Sequence, residues 1–304
     1  MAEPLVSVVI PTHNRAGDLE ECIRSVQASD YGSIEIVVAD DCSTDNTAAM
    51  VRERFPQARY VATPHNGGAS LARNTGGEAA TGELLFFVDS DATVAPDAIS
   101  RLVSEFVVNA QCGMAGPVIN YYDEPDRVWF AGADIDLVTG RTTYLTTPPD
   151  RGTSYPTGHI PTAFMVRAEV FRAVGGFDTR FFIIFEESDF AEGVLRAGYE
   201  VRVVPGATAW HKLSIADFSD ADQRIQNAIG LRNAGRGYLV SRNRVLFMRK
   251  NASRVGFGVF LVCFMPLLTG YYVAQSLRFR RPDIAWATLR GVAHGLTGRF
   301  AGVG

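Results

Sequence analysis

Four short apolar runs, each leading into a polar turn and then a stretch of helical spacing, limit the fold of this chain more than any other feature. They are LVSVVI at 5–10, closed by Pro11, IEIVVA at 34–39, RYVA at 59–62 and ELLFFV at 83–88. Between them, residues 16–29 carry Leu19, Cys22, Ile23 and Val26 at helical spacing. Asp45 reads as the N-cap of a helix over 46–54, and Asn66-Gly67-Gly68-Ala69 as a turn into a helix at about 69–79. Short, mostly apolar runs suit buried strands, and their alternation with helices predicts a parallel sheet covered on both sides. Ligands of such sheets bind beyond the C-terminal strand ends. Thr12, Asn14, Asp40, Asp41 and Asp89 all fall at those ends, so residues far apart in sequence are expected to converge on one crevice.

The fourth run ends in Asp89-Ser90-Asp91. Two carboxylates two residues apart at the end of a buried strand emerge together, where they can hold a divalent cation against a diphosphate. The first turn argues against a dinucleotide cofactor, and a nucleotide held by carboxylates and a metal fits better. The first turn reads Pro11-Thr12-His13-Asn14-Arg15 and lacks the G-x-G-x-x-G glycines that let backbone approach a pyrophosphate.

VSVVIPTHNR, IVVADDCSTDNT, NGGASLARNTG, LLFFVDSDA, GGFDTRFFIIFEESDF and the Trp210-His211 pair, in that order, resemble family 2 of the glycosyltransferases over roughly residues 5–250. The resemblance implies an α/β GT-A fold with a Rossmann-like mixed sheet, a nucleotide-diphospho-sugar donor, a divalent metal (Mn2+ or Mg2+) and inversion at the anomeric carbon. It places Pro11, Thr12 and Asn14 on the nucleotide, Asp41 on its base with Asp40 beside it, and Arg73 near the donor. Within the D-x-D motif it makes Asp91 the metal ligand. Asp89, with Ser90 beside it, is expected at the ribose or in the metal's water shell. His211 is the second protein ligand, a donor set that suits Mn2+ better than Mg2+.

An inverting transfer also needs a carboxylate to take the acceptor's proton. The family usually reads Glu-Asp there; this chain reads Glu186-Glu187, which aligns Glu187 with the base, one methylene longer. A helix over about 188–197 would set Glu187 at its N-terminal end, where the dipole favours the ionised form. Asp189 is the alternative base, with first-turn capping as its structural role. Upstream, residues 113–150 read as an antiparallel excursion with mobile loops, and 163–166 as a strand before a helix at about 168–174. His159 lies where the family passes beneath the donor sugar; ligand contact and a simple loop histidine both stay open.

The expected organisation is a catalytic domain over 1–222, with a nucleotide half at 1–112 and an acceptor half at 113–222, then a helical region at 223–304. In the latter, residues 255–277 form an uncharged run of 23, long enough to cross a bilayer. Pro266 interrupts it, and both flanks are basic: Arg242, Arg244, Arg249, Lys250 and Arg254 before, Arg278, Arg280 and Arg281 after. Positive flanks at both ends favour leaving both ends cytoplasmic, hence a kinked, re-entrant or in-plane attachment. An amphipathic helix at 284–300 suits an interface, and the eight basic residues from Arg224 to Arg254, with no acidic ones among them, suit phosphates or anionic headgroups.

These readings predict sugar transfer from a UDP-, dTDP- or GDP-linked donor to a glycan or a polyprenyl-phosphate- or diphosphate-linked acceptor, at the cytoplasmic face of the membrane. The alternatives are a sugar-phosphate nucleotidyltransferase, which would want a Gly-rich basic loop after the first strand, and a non-catalytic membrane-bound scaffold of the same fold. A net charge of −4 gives no case for nucleic acid. Four cysteines without C-x-x-C spacing predict reduced, cytosolic thiols. Met1-Ala2-Glu3-Pro4 runs into strand pattern without a basic, apolar leader, so no secretory signal is expected.

Overall fold

A computed structural model describes residues 3–149, 152–212 and 230–299. The expected domain boundary near 222, Arg224 and Phe300 lie outside the described residues. What is described divides into two compact units. One lies within Met1–Asp134, Thr143–Thr179 and Phe190–Leu213, the other within Ile135–Thr142, Arg180–Asp189 and Ser214–Gly304.

The first unit is built on a mixed sheet. Its opening half is the predicted βα series: β1 (Val6–Thr12), α1 (Ala16–Gln27), β2 (Ile34–Asp40), α2 (Thr47–Arg54), β3 (Arg59–Ala62), α3 (Gly68–Ala79) and β4 (Leu84–Val88). β1 and β4 are buried at every position, which is why both read as predominantly apolar runs. α1 buries Leu19, Cys22, Ile23 and Val26, the stripe its spacing foretold. α2 begins one residue later than expected, yet Asp45 Oδ1 still accepts from the Thr47 N–H at 3.0 Å.

Then come β5 (Ala92–Val94), α4 (Ala98–Val108), β6 (Cys112–Tyr121), β7 (Val128–Phe130), β8 (Ala133–Ile135), β9 (Thr142–Tyr144), β10 (Tyr155–Pro156), β11 (Ala163–Arg167), α5 (Ala168–Val174), α6 (Glu186–Arg196) and β12 (Glu200–His211). The sheet order is β10-β12-β6-β11-β4-β1-β2-β3, with β5 beside β12, β7 beside β6, and β8 and β9 in a separate ribbon. β11 runs antiparallel to both β4 and β6, while β12 runs parallel to β6. The sheet is therefore mixed rather than wholly parallel. The antiparallel excursion expected over 113–150 begins only at β7, because 112–121 is an interior strand. Five phenylalanines, Phe87, Phe164, Phe171, Phe177 and Phe190, pack into one cluster under the sheet, with Phe177 and Phe190 stacked at 4.6 Å.

The second unit holds the first turn of α6 and a helical set: α7 (Ala234–Asn251), α8 (Arg254–Val259), a π turn (Phe260–Phe264), α9 (Met265–Arg278) and α10 (Pro282–Thr297). Arg254–Arg278 is one continuous helix, long and apolar enough to cross a membrane, with few of its residues buried. Pro266 does not break it. The π turn directly before it absorbs the missing N–H, as π bulges and prolines do together in long helices. α10 lies against α7 through Gly291 and Gly295: a Cβ on Gly291 would stand 2.3 Å from the Tyr238 carbonyl oxygen, and one on Gly295 2.8 Å from that of Arg242.

Candidate active site

Because β11 is the antiparallel strand between β4 and β6, β12 points the same way as β1 and β4. Thr12, Asp40, Asp89 and His211 therefore all come out at one edge of the sheet. The antiparallel register of β5 on β12 then sets Ala92 opposite His211, and the Lys212 N–H donates to the Asp91 carbonyl at 2.9 Å. This brings Asp91 Oδ1 within 3.3 Å of His211 Nε2. Arg15 reaches Asp91 Oδ2 at 3.1 Å, and the Trp129 ring packs 4.9 Å from the His211 imidazole. Burial works to raise the Asp91 pKa, but the hydrogen bond and charge of His211, with the charge of Arg15, outweigh it and hold the carboxyl below its usual range.

The other carboxylates are differently employed. Asp89 Oδ1 accepts from Arg73 at 2.6 Å. The guanidinium is buried over the rings of Phe164 and Phe177. Arg73 thus reaches the strand edge through Asp89. Asp41 accepts from the Gly67 N–H at 2.9 Å, the Gly68 N–H at 2.7 Å and the Thr63 hydroxyl at 2.9 Å, tying the glycine turn before α3 to β2. Asp40 accepts from Ser43 N at 3.0 Å and from the Tyr60 hydroxyl. Asn14, with φ of 52°, accepts from Thr44 N at 2.7 Å and joins the loops after β1 and β2. Pro11 lies within β1, paired with Ala39, and Ser90 is buried between the two D-x-D carboxylates. Among the described residues, two buried polar atoms at this edge, the Thr12 hydroxyl and His211 Nδ1, find no hydrogen-bond partner.

In the second unit, Glu186 and Glu187 open α6. Glu186 is buried, Glu187 is half-buried. Asp189 is 4% exposed and held at both oxygens, by Lys250 Nζ at 2.6 Å and by Asn251 Nδ2 at 3.0 Å.

The family model "Glycosyl transferase family 2" matches residues 7–175, more than half of the 304. The chain belongs to glycosyl transferase family 2. Among its relatives are the uncharacterized glycosyltransferase YibD of Escherichia coli, 36% identical over 33% of this chain, and the succinoglycan biosynthesis protein ExoO of Rhizobium meliloti, 39% identical over 33%. Each match spans 29% of the relative's length. A third, the putative teichuronic acid biosynthesis glycosyltransferase TuaG of Bacillus subtilis, is 32% identical over 37% of this chain and 46% of its own length. Solved structures share the GT-A fold at low identity. GalNAc-T7 with UDP, GalNAc and Mn2+ gives a TM-score of 0.61 at 15% identity, over 98% of this chain and 58% of that one. The Pyrobaculum calidifontis mannosyltransferase PcManGT with GDP-Man and Mn2+ gives 0.55 at 18%, over 98% and 89%.

This family 2 chain has a donor pair that fits a cation. An oxygen and a nitrogen 3.3 Å apart can both ligate one ion, since adjacent ligands on an octahedral cation stand about 3 Å apart. One carboxylate and one imidazole suit a borderline ion such as Mn2+. Among the described residues no group of three or more His, Cys, Asp or Glu side chains could hold a metal by itself. Four residues beside this pair were not singled out from the sequence: Arg15, Trp129, Lys212 and Asp18, which accepts from Lys212 at 3.0 Å and pairs with Arg15. Only the β5–β12 register brings Lys212 and Asp91 together. Arg15, inside the first motif, was visible as a cation next to the nucleotide-binding turn.

Proposed function

We propose that the protein is an inverting glycosyltransferase moving a sugar from a nucleotide-diphosphate donor to a hydroxyl of a glycan or lipid-linked acceptor, at the cytoplasmic face of the membrane. The observation that carries this reading is the Asp91–His211 pair at the C-terminal edge of the sheet, where α/β folds bind nucleotides. Asp91 and His211 would hold a divalent cation, which when bound supplies positive charge to the departing diphosphate. The buried Thr12 hydroxyl, without a partner among the described residues, suits a nucleotide atom. Asp41 and Asn14 keep the floor of that subsite rigid through their bonds to the glycine turn and the Thr44 loop. Solved neighbours hold UDP and GDP-Man, which fits a UDP-, dTDP- or GDP-linked donor.

Glu187 is the base. It is the least buried of the three carboxylates at the start of α6, while Asp189 is occupied on both oxygens. It takes the acceptor hydroxyl's proton as the oxygen bonds to the anomeric carbon, and the bond to the diphosphate breaks with its electron pair leaving on phosphate oxygen.

Lipid attachment falls to the second unit. Val255, Val262, Leu267 and Trp286 are 77%, 78%, 69% and 66% exposed, and Arg254, Arg278, Arg280, Arg290 and Arg299 are exposed around them. Arg244 of α7 donates to the Tyr272 hydroxyl of α9 at 3.1 Å. Were the 254–278 helix to stand across a bilayer, α7 and its arginines would enter hydrocarbon with it, at high cost. An in-plane position keeps those charges at the headgroups. Not all of α7 is a phosphate surface, however, since Arg242 is fully buried. Relatives named for succinoglycan and teichuronic acid biosynthesis support an acceptor in surface-polysaccharide assembly.

The test is a thermal-shift panel of UDP, dTDP and GDP with Mn2+. A ligand at a hundredfold its Kd should add roughly 2.7 kcal/mol of stability. Asp91→Asn should abolish that gain, and Glu187→Gln should keep it while lowering turnover by about 10²–10⁴-fold. Release of pyrophosphate instead of a nucleoside diphosphate would mark a nucleotidyltransferase.

A further inference from the structure

We infer that α7, outside the matched family region, is part of the catalytic apparatus: Asn243, backed by Arg242 and Lys250, is the positioning residue that holds the turn presenting Glu187. The inference rests on the assignment of Glu187 as the base. Residues 180–185 lead directly into α6, and Phe182, Ile184 and Phe185 have φ of 66°, 74° and 73°. Three bulky L-residues in left-handed conformations within four positions are unfavourable by themselves, so the surroundings must impose them.

α7 provides what imposes them. The Asn243 side-chain amide donates to the carbonyls of Phe181 at 2.9 Å, Ile183 at 2.9 Å and Ile184 at 2.7 Å. Its two N–H groups thus serve three carbonyls that face one point. Arg242 Nη2 donates to the carbonyls of Arg180 and Phe181, each at 3.0 Å, while Arg242 Nε donates to Asn243 Oδ1 at 2.8 Å and fixes which way the amide faces. Both side chains are wholly buried. Two turns further along α7, Lys250 and Asn251 grip the Asp189 carboxylate. The base is bracketed by carbonyls held on one side and a carboxylate held two residues beyond it. Asn243 touches neither donor nor acceptor in this scheme; it acts through the backbone that aims Glu187.

Asn243→Asp keeps the side-chain size and turns the donor into an acceptor facing three carbonyl oxygens. A base displaced by about 1 Å loses on the order of 10²-fold in rate, so kcat should fall by about that factor, with KM for donor and acceptor within about twofold of wild type. Amide exchange over 182–187 should speed up in this variant, while exchange over β1 to β4 stays as in wild type. Arg242→Lys, which still donates to carbonyls, should retain most of the turnover that Arg242→Met loses. A folded Asn243→Asp with wild-type kcat overturns the proposal. If that variant does not fold, exchange in the wild type decides: amides of 183–187 protected like those of α7 support the clamp, and open-loop exchange there refutes it. A wild-type protein that transfers no sugar and binds no nucleoside diphosphate with Mn2+ would refute the glycosyltransferase reading instead.

Discussion

Asp41 and Asp91 show how one residue type is put to two uses by its surroundings. Asp41 spends its oxygens on the Gly67 and Gly68 amides and the Thr63 hydroxyl, donors from its own fold. Asp91 meets the side chains of Arg15 and His211, which can move aside for a cation or share one. His159 is a third case. It is 4% exposed, its ring packs edge-on to Tyr144 at 6.1 Å, and burial pushes its pKa down to about 4. The unfolded chain, with an ordinary histidine, binds the proton between pH 6.5 and 4 and the folded chain does not, so this residue makes stability fall as pH drops through that window. Urea unfolding at several pH values should show His159→Gln losing less stability than wild type between pH 6.5 and 4, by up to about 1.4 kcal/mol per pH unit. Equal slopes would show that His159 is protonated in the fold.

Helices in the second unit carry glycines with opposite meanings. A Cβ at Gly291 would meet backbone, the Tyr238 oxygen at 2.3 Å and the Arg242 nitrogen at 3.1 Å, whereas one at Gly270 would meet nothing within 4 Å. Gly291→Ala must therefore push α10 off α7 and should cost roughly 1–3 kcal/mol by overpacking. Gly270→Ala, in the exposed interior of α9, should be stabilising by up to about 1 kcal/mol through helix propensity. Thermal unfolding of the two variants checks the pair, and the same sign for both would contradict the close approach of α10 to α7. Since α7 also carries Asn243, Gly291→Ala joins element packing to the turn before Glu187.

The chain has a mixed sheet in its first unit and, in its second, helices that expose apolar side chains and arginines. In-plane attachment predicts that Val262→Glu, Leu267→Glu and Trp286→Glu together will release the protein from anionic liposomes in a flotation assay. Each lost apolar side chain removes roughly 1.5–3 kcal/mol of burial in lipid. All three are exposed, so folding and transfer to a short-chain acceptor should persist. Flotation of the triple variant as complete as that of wild type would refute lipid attachment through this face.

The sequence by itself determined the first half of the sheet, the edge where Thr12, Asp40 and Asp89 emerge and the identity of the D-x-D carboxylates. Local signals suffice there, because the strands are mostly apolar and alternate in sequence with helices. What only tertiary structure decided comes from pairings far apart in sequence. The β5–β12 register sets Asp91 against His211 and Lys212, and the antiparallel β11 between β4 and β6 turns β12 to the same edge. The basic stretch looked like a surface by charge alone; folding turned Arg242 inward, because a buried guanidinium beside Asn243 can satisfy the carbonyls of a turn no local sequence preference would form.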